Sequence, residues 1–596
     1  MNWYPAAGMA AYRYRRHRDP KTSKSFDMGD PIGNNQFDAI VIGSGMSGGW
    51  AAKEFTEKGF KTLVLERGRN VRHIKDYPTT NMMPWEFEHR GEIPESVREA
   101  NPSVSRCYAF REDAMHFFVK DTDHPYVQEK PFDWIRGYQV GGKSIMWARQ
   151  TQRWSDFDFE GPVRDGYATD WPIRYKDLAP WYSYVEKFVG ISGNKDGLAQ
   201  LPDGEFLPPL ELTCVETYFA DFVRKHYKDR PVIYGRCAHL TEPTALHLQQ
   251  GRGQCQNRTL CQRGCPFGGY YNSNSTTIPW AEKTGNLTLR PFSVVHSILY
   301  DDKKGRATGV RVVDAHSKEI FEYFAPVIFV NAGALNTNLV LLNSVSGRFP
   351  HGLGNDNGLL GKYVAFHNYR GHISAEYEGF LDRTTDGRRP TAAYIPRFRN
   401  LFRQDKDANF LRGYAAGFSA FRSFDHPTDG VGLTLKQHLS AGKSGPWRVG
   451  SHMMGETIPK VSNQVSLDPV LKDTWGIPQL KIDISYDDND EKMLKDFFDQ
   501  MSEMYSAAGF TNIKTGDSGQ APGLDIHEMG GVRMGKDPAN SLLNEWHQLH
   551  ACKNVFVTDG ACMTSTSTQN PSLTYMAMTA RAVDYAVARL RKNDLV

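Results

Sequence analysis

The sequence predicts a mixed α/β (α+β) architecture, a Rossmann-like core interleaved with a domain built on an antiparallel sheet. Three observations predict it: a strand, glycine turn, helix and second strand near residue 40; a strand, turn and helix near residue 555; and a series of alternating strand-like runs between residues 362 and 517. Composition is consistent with a fold of that size. The 596 residues allow about three to four domain-sized units, and 40% hydrophobic against 23% charged residues can bury a large core.

The first element is FDAIVIGSGMSGGWAAKEFTEKGFKTLVLERG, residues 37–68. Phe37–Ile42 has strand character, and Gly43, Gly45 and Gly48 follow with G-x-G-x-x-G spacing before a helix over Met46–Glu57. Gly43 makes the tight turn, Gly45 lets a pyrophosphate approach the backbone, and Gly48 permits close helix–strand packing. The helix start offers unpaired N–H groups and a positive dipole end to phosphates. A second strand, Thr62–Leu65, ends on Glu66, 18 residues beyond Gly48, where an acid accepts ribose hydroxyls. A dinucleotide site follows; NAD and FAD stay open on this segment alone.

The second element is HEMGGVRMG (527–535) with NVFVTDGACMTSTSTQNPSLTYMAMTA (554–580). Asn554–Val557 is a buried strand that runs into Asp559-Gly560, a turn suited to phosphate and ribityl contacts. Asn570-Pro571-Ser572 opens a helix over Leu573–Ala588, with Pro and Ser near its start as helix N-termini prefer. Such an N-terminus stabilises negative charge placed before it.

With these motifs the chain resembles the glucose-methanol-choline (GMC) oxidoreductases from about residue 36 to its end. The stretches DWPIRYKDLAPWYSYVEKFVGISG (170–193), VIFVNAGALNTNLVLLNS (327–344), GLGNDNGLLGKYVAFH (352–367) and ETIPKVSNQVSLDPVLKDTWGIP (456–478) fit the family pattern in order. The resemblance implies an FAD-dependent enzyme oxidising an alcohol. His527 is then the general base taking the hydroxyl proton while hydride passes to flavin N5, and Asn570 positions the same hydroxyl. Gly531 stands where many members have Thr. Gly142 and Ser144, in GGKS, resemble the loop beside the isoalloxazine ring; Val295 matches the adenine-reading position; Asp559 and Pro571 are further FAD contacts. Met146 precedes Trp147 where pyranose oxidases carry a flavin-linking His, so the FAD is expected to be noncovalent.

Eight cysteines are too few for a disulfide scaffold in a chain this long. Three of them, Cys255, Cys261 and Cys265, are spaced C-x(5)-C-x(3)-C and followed by Pro266. Thiolates so close can converge on one soft metal centre; zinc and a disulfide with one thiol left over are the alternatives. Cys237 is a reserve ligand, and the remaining cysteines read as buried thiols. The spacing resembles that of multi-subunit sugar dehydrogenases acting on glucose, fructose, gluconate and the 3-position of glucosides, whose catalytic subunits hold a [3Fe–4S] cluster. That resemblance, strongest for glucoside 3-dehydrogenases at GGKSIMW and Arg153-Trp154, implies a cluster-linked dehydrogenase. Its substrate would be a sugar or glycoside oxidised to the 3-keto form, its companions a small partner subunit and a cytochrome c-type acceptor.

Between Lys362 and Asp517 the runs YRGHISAEYEG, LRGYAAGFSAF, VGLTLKQHLS, QVSLDP and LKIDISYD predict one antiparallel sheet facing the flavin. Gln437, His452 and Glu456 on these runs are candidates to read sugar hydroxyls; His367, His89 and His116 carry no assignment. The predicted organisation is an N-terminal arm (1–35), an FAD-binding domain (36–155, 251–360 and 517–596, with the cysteine loop at 251–270), and a substrate domain (156–250 and 361–516).

Lys plus Arg number 71 against 68 Asp plus Glu, a net +3 that favours neither nucleic acid nor an anionic membrane surface. The basic cluster Arg13–Arg18 reads as a solvated arm. No apolar segment follows Arg15-Arg16, so no export signal is expected, and no stretch reaches the roughly 18 unbroken apolar residues of a membrane helix. Work in the periplasm then requires export with a partner; the cytoplasm is the alternative. The rival readings are an oxygen-using sugar oxidase, a gluconate or polyol dehydrogenase subunit, and a non-catalytic flavin-binding electron-transfer scaffold.

Overall fold

The computed structural model describes residues 35–384, 391–424, 431–441 and 444–595; the Arg13–Arg18 cluster lies outside them. Strand β1 (Ala39–Ile42), helix α1 (Met46–Glu57) and strand β2 (Thr62–Leu65) form where the glycine pattern places them. Around β1 a six-stranded sheet assembles in the order 548–549, 552–557, 328–330, β1, β2, 287–290. All neighbours except the outermost pair 548–549/552–557 run parallel. Every residue of β1 and β2 is buried, as a parallel sheet covered on both faces requires. One side is covered by α1 and the C-terminal helix Ser572–Arg591. Ala51, Ala52 and Phe55 share an apolar cluster there with Ala582, Val583 and Ala586, over Val41, Val64 and Phe329 of the sheet.

The parallel strands point the same way, so their C-terminal ends form one edge. Gly43 follows β1, Glu66 follows β2, Asn331 follows Ile328–Val330, and Thr558-Asp559 follows Cys552–Val557. That edge is where an open α/β sheet binds its ligand.

The strand-like runs between 362 and 517 form two sheets, where one was expected. Tyr414–Phe424, Ser444–Glu456, Gly371–Tyr377 and Thr511–Asp517 belong to a six-stranded sheet, with Ala393–Ile395 at its edge. Helices Cys214–His226 and Asp488–Ala507 share its apolar core through Phe219, Phe497 and Met501 against Phe418 and Trp447. By contrast, Gln464–Lys472 and Pro478–Asp483 join Lys362–Ala365, Met529–Gly531 and Val127–Gln128 in a separate five-stranded sheet. The run around Gln437 is also corrected: Leu433–Ala441 is a helix. Its short apolar alternation fits either period, and length alone does not arbitrate.

Residues from 35 onward form one compact unit. Among the described residues no helix is long and apolar enough to cross a membrane.

Candidate active site

A cavity of about 340 Å³ opens at the C-terminal edge of the parallel sheet. Gly43 and Gly45 line it from the first turn, and Glu66 lines it from the end of β2. Gly43 has φ +93°, and a Cβ there would lie 2.3 Å from the Asn331 carbonyl oxygen. A Cβ on Gly48 would lie 2.0 Å from the Gly43 carbonyl oxygen, so Gly48 sits beneath the cavity and lets α1 close on the turn. Gly45 differs: its nearest foreign atom to a Cβ is 4.0 Å away, leaving open space for a ligand. Gly48→Ala should therefore displace α1 and lower the ratio of bound dinucleotide to protein after purification. Gly516→Ala, which meets nothing within 4 Å, should leave that ratio unchanged.

Glu66 is buried and accepts Ser44 N–H at 3.2 Å, Ser44 Oγ–H at 2.5 Å and Gly68 N–H at 3.0 Å. Burial pushes its carboxyl up, and these hydrogen bonds pull the other way. Ser44 in turn receives the Gly141 N–H at 2.9 Å, which ties the first turn to the loop holding Gly142 and Ser144. Gly142 and Ser144 lie in the 3₁₀ turn Gly142–Ile145 on the cavity wall. Ser144 Oγ donates to Gly141 O at 2.6 Å and accepts Ser273 N–H at 3.0 Å. Val295 lines the cavity from the antiparallel strand Ser293–Asp301. Asp559 lines it from below, accepting Thr337 Oγ–H at 2.6 Å, Gly333 N–H at 2.8 Å and Ala561 N–H at 2.9 Å. Burial pushes its carboxyl up to about 6. Two buried polar atoms on the wall, Asn331 Nδ2 and Glu528 Oε1, have no partner in the protein. Open backbone at Gly45, an acid at the end of β2 and unsatisfied polar atoms fit a bound dinucleotide.

His527, Asn570 and Pro571 line the same cavity, Pro571 as the N-cap of the C-terminal helix. His527 Nε2 lies 3.3 Å from Asn570 Nδ2, although the two residues are 43 apart in sequence. Burial, then His367, then Lys143 hold the His527 imidazole well below the usual histidine range. Sheet register brings in His367: Ala365 pairs with Met529 in antiparallel strands, so 367 and 527 face each other just beyond that pair. Their Nδ1 atoms are 2.9 Å apart. Asp525 accepts the backbone N–H of both, at 2.9 Å from His367 and 3.3 Å from His527.

Comparisons with known proteins show the family. A family model described as GMC oxidoreductase matches residues 38–368, and its C-terminal counterpart matches residues 459–579. The chain belongs to the GMC oxidoreductase family. A 2-methyl-1,2-propanediol dehydrogenase of Mycolicibacterium austroafricanum is 28% identical, covering 94% of this chain and 97% of that protein. A fructose dehydrogenase large subunit of Gluconobacter japonicus is 24% identical over 93% and 98%. The solved pyridoxine 4-oxidase of Mesorbium loti superposes with a TM-score of 0.57 at 16% identity, covering 92% and 99%. This GMC enzyme is an FAD-dependent oxidoreductase acting on alcohol or sugar-like hydroxyls, and the residues lining the cavity above fit an FAD.

The three residues taken as sugar readers do not line the cavity. Gln437 is exposed on the helix Leu433–Ala441. His452 is held in the sheet opposite His372 and Gly417, with its ring against Tyr369. Glu456 is fully buried, and both its oxygens are engaged: Oε1 accepts Tyr167 Oη–H at 3.0 Å, while Oε2 meets Arg397 and, at 2.9 Å, Arg412 Nε. Tyr108, Trp147, Tyr369 and Met454 line the cavity instead. Arg153 and Trp154 are likewise structural, Arg153 on the Glu186 carboxylate at 2.5 Å and Trp154 in an aromatic cluster with Phe159 and Trp171.

The cysteine loop reaches the Gly142–Ile145 turn through Tyr270, whose hydroxyl donates to Ile145 O at 2.6 Å and also meets Cys261 O at 3.1 Å. Cys255, Cys261 and Cys265 are free and partly buried. Among the described residues the only three metal-capable side chains with ligand atoms within 4.8 Å of one another are His367, Asp525 and His527. The three cysteines therefore do not form a compact single-ion site. Gly269 N–H donates to Cys265 Sγ at 3.4 Å, and His239 Nε2 lies 3.8 Å from Cys261 Sγ.

Proposed function

We propose that this GMC enzyme oxidises a secondary hydroxyl of a sugar or glycoside, at C3 to give a 3-ketoglycoside, as a dehydrogenase. The observation that carries the oxidation is the pairing of His527 and Asn570 on the wall of the dinucleotide cavity, next to the N-terminus of the C-terminal helix. Bound FAD supplies the hydride acceptor. The protein's own residues do the rest: neutral His527 takes the hydroxyl proton at Nε2, and Asn570 donates its amide to the same oxygen and orients the carbon. Tyr369 and Met454 close the wall around the substrate.

Cys255, Cys261 and Cys265 would hold a [3Fe–4S] cluster passing electrons singly to a cytochrome-type acceptor, and a small subunit would accompany the chain. Three soft thiol donors on one loop, spaced C-x(5)-C-x(3)-C and followed by Pro266, support this reading. The Tyr270 hydroxyl, bridging the loop to the turn at Ile145, offers the physical connection. A similar protein named as a large subunit supports a multi-subunit assembly.

Iron and acid-labile sulfide should be present in anaerobically purified protein and fall to background in Cys261→Ser, while substrate still bleaches the flavin. Iron-free protein that reduces oxygen rapidly would leave an oxidase. A second reading, oxidation of a small diol, is favoured by the 28%-identical diol dehydrogenase. An anaerobic bleaching screen of glucosides, free hexoses, aldonic acids and short diols, with product NMR to locate the new carbonyl, separates the substrate classes.

A further inference from the structure

We propose that His367 is a positioning residue that sets the tautomer of His527, so that His527 Nε2 is the bare, proton-accepting nitrogen. The inference rests on the reading of His527 as base and adds what makes it one. His367 Nε2 lies 3.2 Å from Thr566 O and 3.1 Å from Ser567 O. Carbonyl oxygens only accept, so His367 Nε2 carries a proton. Burial holds His367 neutral, its imidazole pushed down to about 4, so its Nδ1 has a lone pair and no hydrogen. That lone pair faces His527 Nδ1 at 2.9 Å, which places the His527 proton on Nδ1 and leaves Nε2 bare. Nε2 in turn faces the Asn570 amide nitrogen, a donor, at 3.3 Å. Donors and acceptors thus run in one direction from Asn570 to two backbone carbonyls.

The backbone is shaped for this. Ser567 has φ +60°, a left-handed conformation costly for a residue with a Cβ, and its Oγ–H is held by Asp158 Oδ1 at 2.7 Å. Two successive carbonyls are thereby aimed at one imidazole N–H. The two rings stand perpendicular, with centroids 5.0 Å apart. Although His367, Asp525 and His527 gather their ligand atoms within 4.8 Å, hydrogen bonds already use the inner ones: each imidazole Nδ1 on the other, Asp525 Oδ2 on two backbone N–H groups. The cluster is a relay rather than a cation site.

Several charged or titratable groups face this pair. Asp525 sits on their backbones, with Glu528, Tyr369, Tyr486 and Tyr575 around it; Lys143 acts on His527; Glu456 and Arg397 act on His367. All remain in place in the test.

Three variants test it: His367→Phe removes the acceptor, His367→Asn offers Oδ1 in place of Nδ1, and His367→Asp offers an anionic acceptor. In anaerobic flavin reduction His367→Phe should lower kcat by about 10²-fold or more, with KM within about threefold and FAD retained. His367→Asn should recover to within about tenfold of the parent. His367→Asp should move the acid limb of kcat/KM up by about one pH unit or more, because an anion beside Nδ1 favours the imidazolium. A merely structural histidine would not give the recovery of His367→Asn over His367→Phe, since only the former restores an acceptor facing His527 Nδ1. Unchanged kcat in His367→Phe, or an unmoved limb in His367→Asp, with His527→Ala inactive, overturns the relay alone. Unchanged flavin reduction in His527→Ala overturns the base assignment beneath it. Should the Phe variant lose FAD, the limb in His367→Asp decides.

Discussion

His527→Ala is expected to slow substrate-driven flavin reduction by about 10²–10⁴-fold, the range lost when a positioned general base is removed. FAD should stay bound, because the groups that fit it come from other segments: the Gly43–Gly45 turn, Glu66, the Gly142–Ile145 turn and Asp559. Anaerobic stopped-flow at the flavin band, alongside the FAD-to-protein ratio, reads both halves of the expectation. A variant bleaching at the parent rate would remove His527 from the chemistry. The same burial has a consequence for pH. His527 and His367 are both held below the usual histidine range near 6.5, so the unfolded chain binds more protons than the folded one on the acid side. Their contribution to stability is full above that range and is lost as pH falls below about 6.5. His527 itself stays neutral to a lower pH than an exposed histidine would.

Glu456→Gln should cost about 3–5 kcal/mol of stability, the loss typical when one member of a buried ion cluster is removed. The neutral amide keeps the shape but leaves Arg397 and Arg412, both essentially inaccessible, short of an anion. Asp165 at 2.8 Å from Arg412 and Asp158 at 3.9 Å from Arg397 compensate only in part. Glu322→Gln is the control: its partner Arg311 and Glu322 itself are about 40% exposed, and such pairs contribute about 0–1 kcal/mol. Thermal and urea transitions followed by flavin and tryptophan fluorescence should move far for Glu456→Gln and hardly at all for Glu322→Gln. Equal shifts would show that the buried cluster contributes no more than a surface pair.

The misreadings share one cause. Glu456, on a strand in a polar setting, looks like a residue that could read hydroxyls. Its partners Arg397 and Arg412 are 59 and 44 residues away, and nothing local marks them as such. His367 ends the motif GLGNDNGLLGKYVAFH, yet its place beside His527, 160 residues later, comes from the pairing of Ala365 with Met529. The helix over 433–441 and the division of the later strands between two sheets were hidden in the same way. A short apolar run satisfies either period, and sheet membership is decided by partners far along the chain.

The sequence by itself determined the nucleotide core, and its likeness to the GMC family indicated the class of chemistry. Gly43, Gly45, Gly48 and Glu66 act through turn geometry and close packing within one β–α–β segment, and His527 and Asn570 lie in motifs legible in their own neighbourhoods. What only the tertiary structure decided is which polar groups reach the cavity and what surrounds His527. His367 joined the site and Glu456 left it for a buried ion cluster, since antiparallel register and non-local charge pairing place a side chain independently of the residues beside it in sequence.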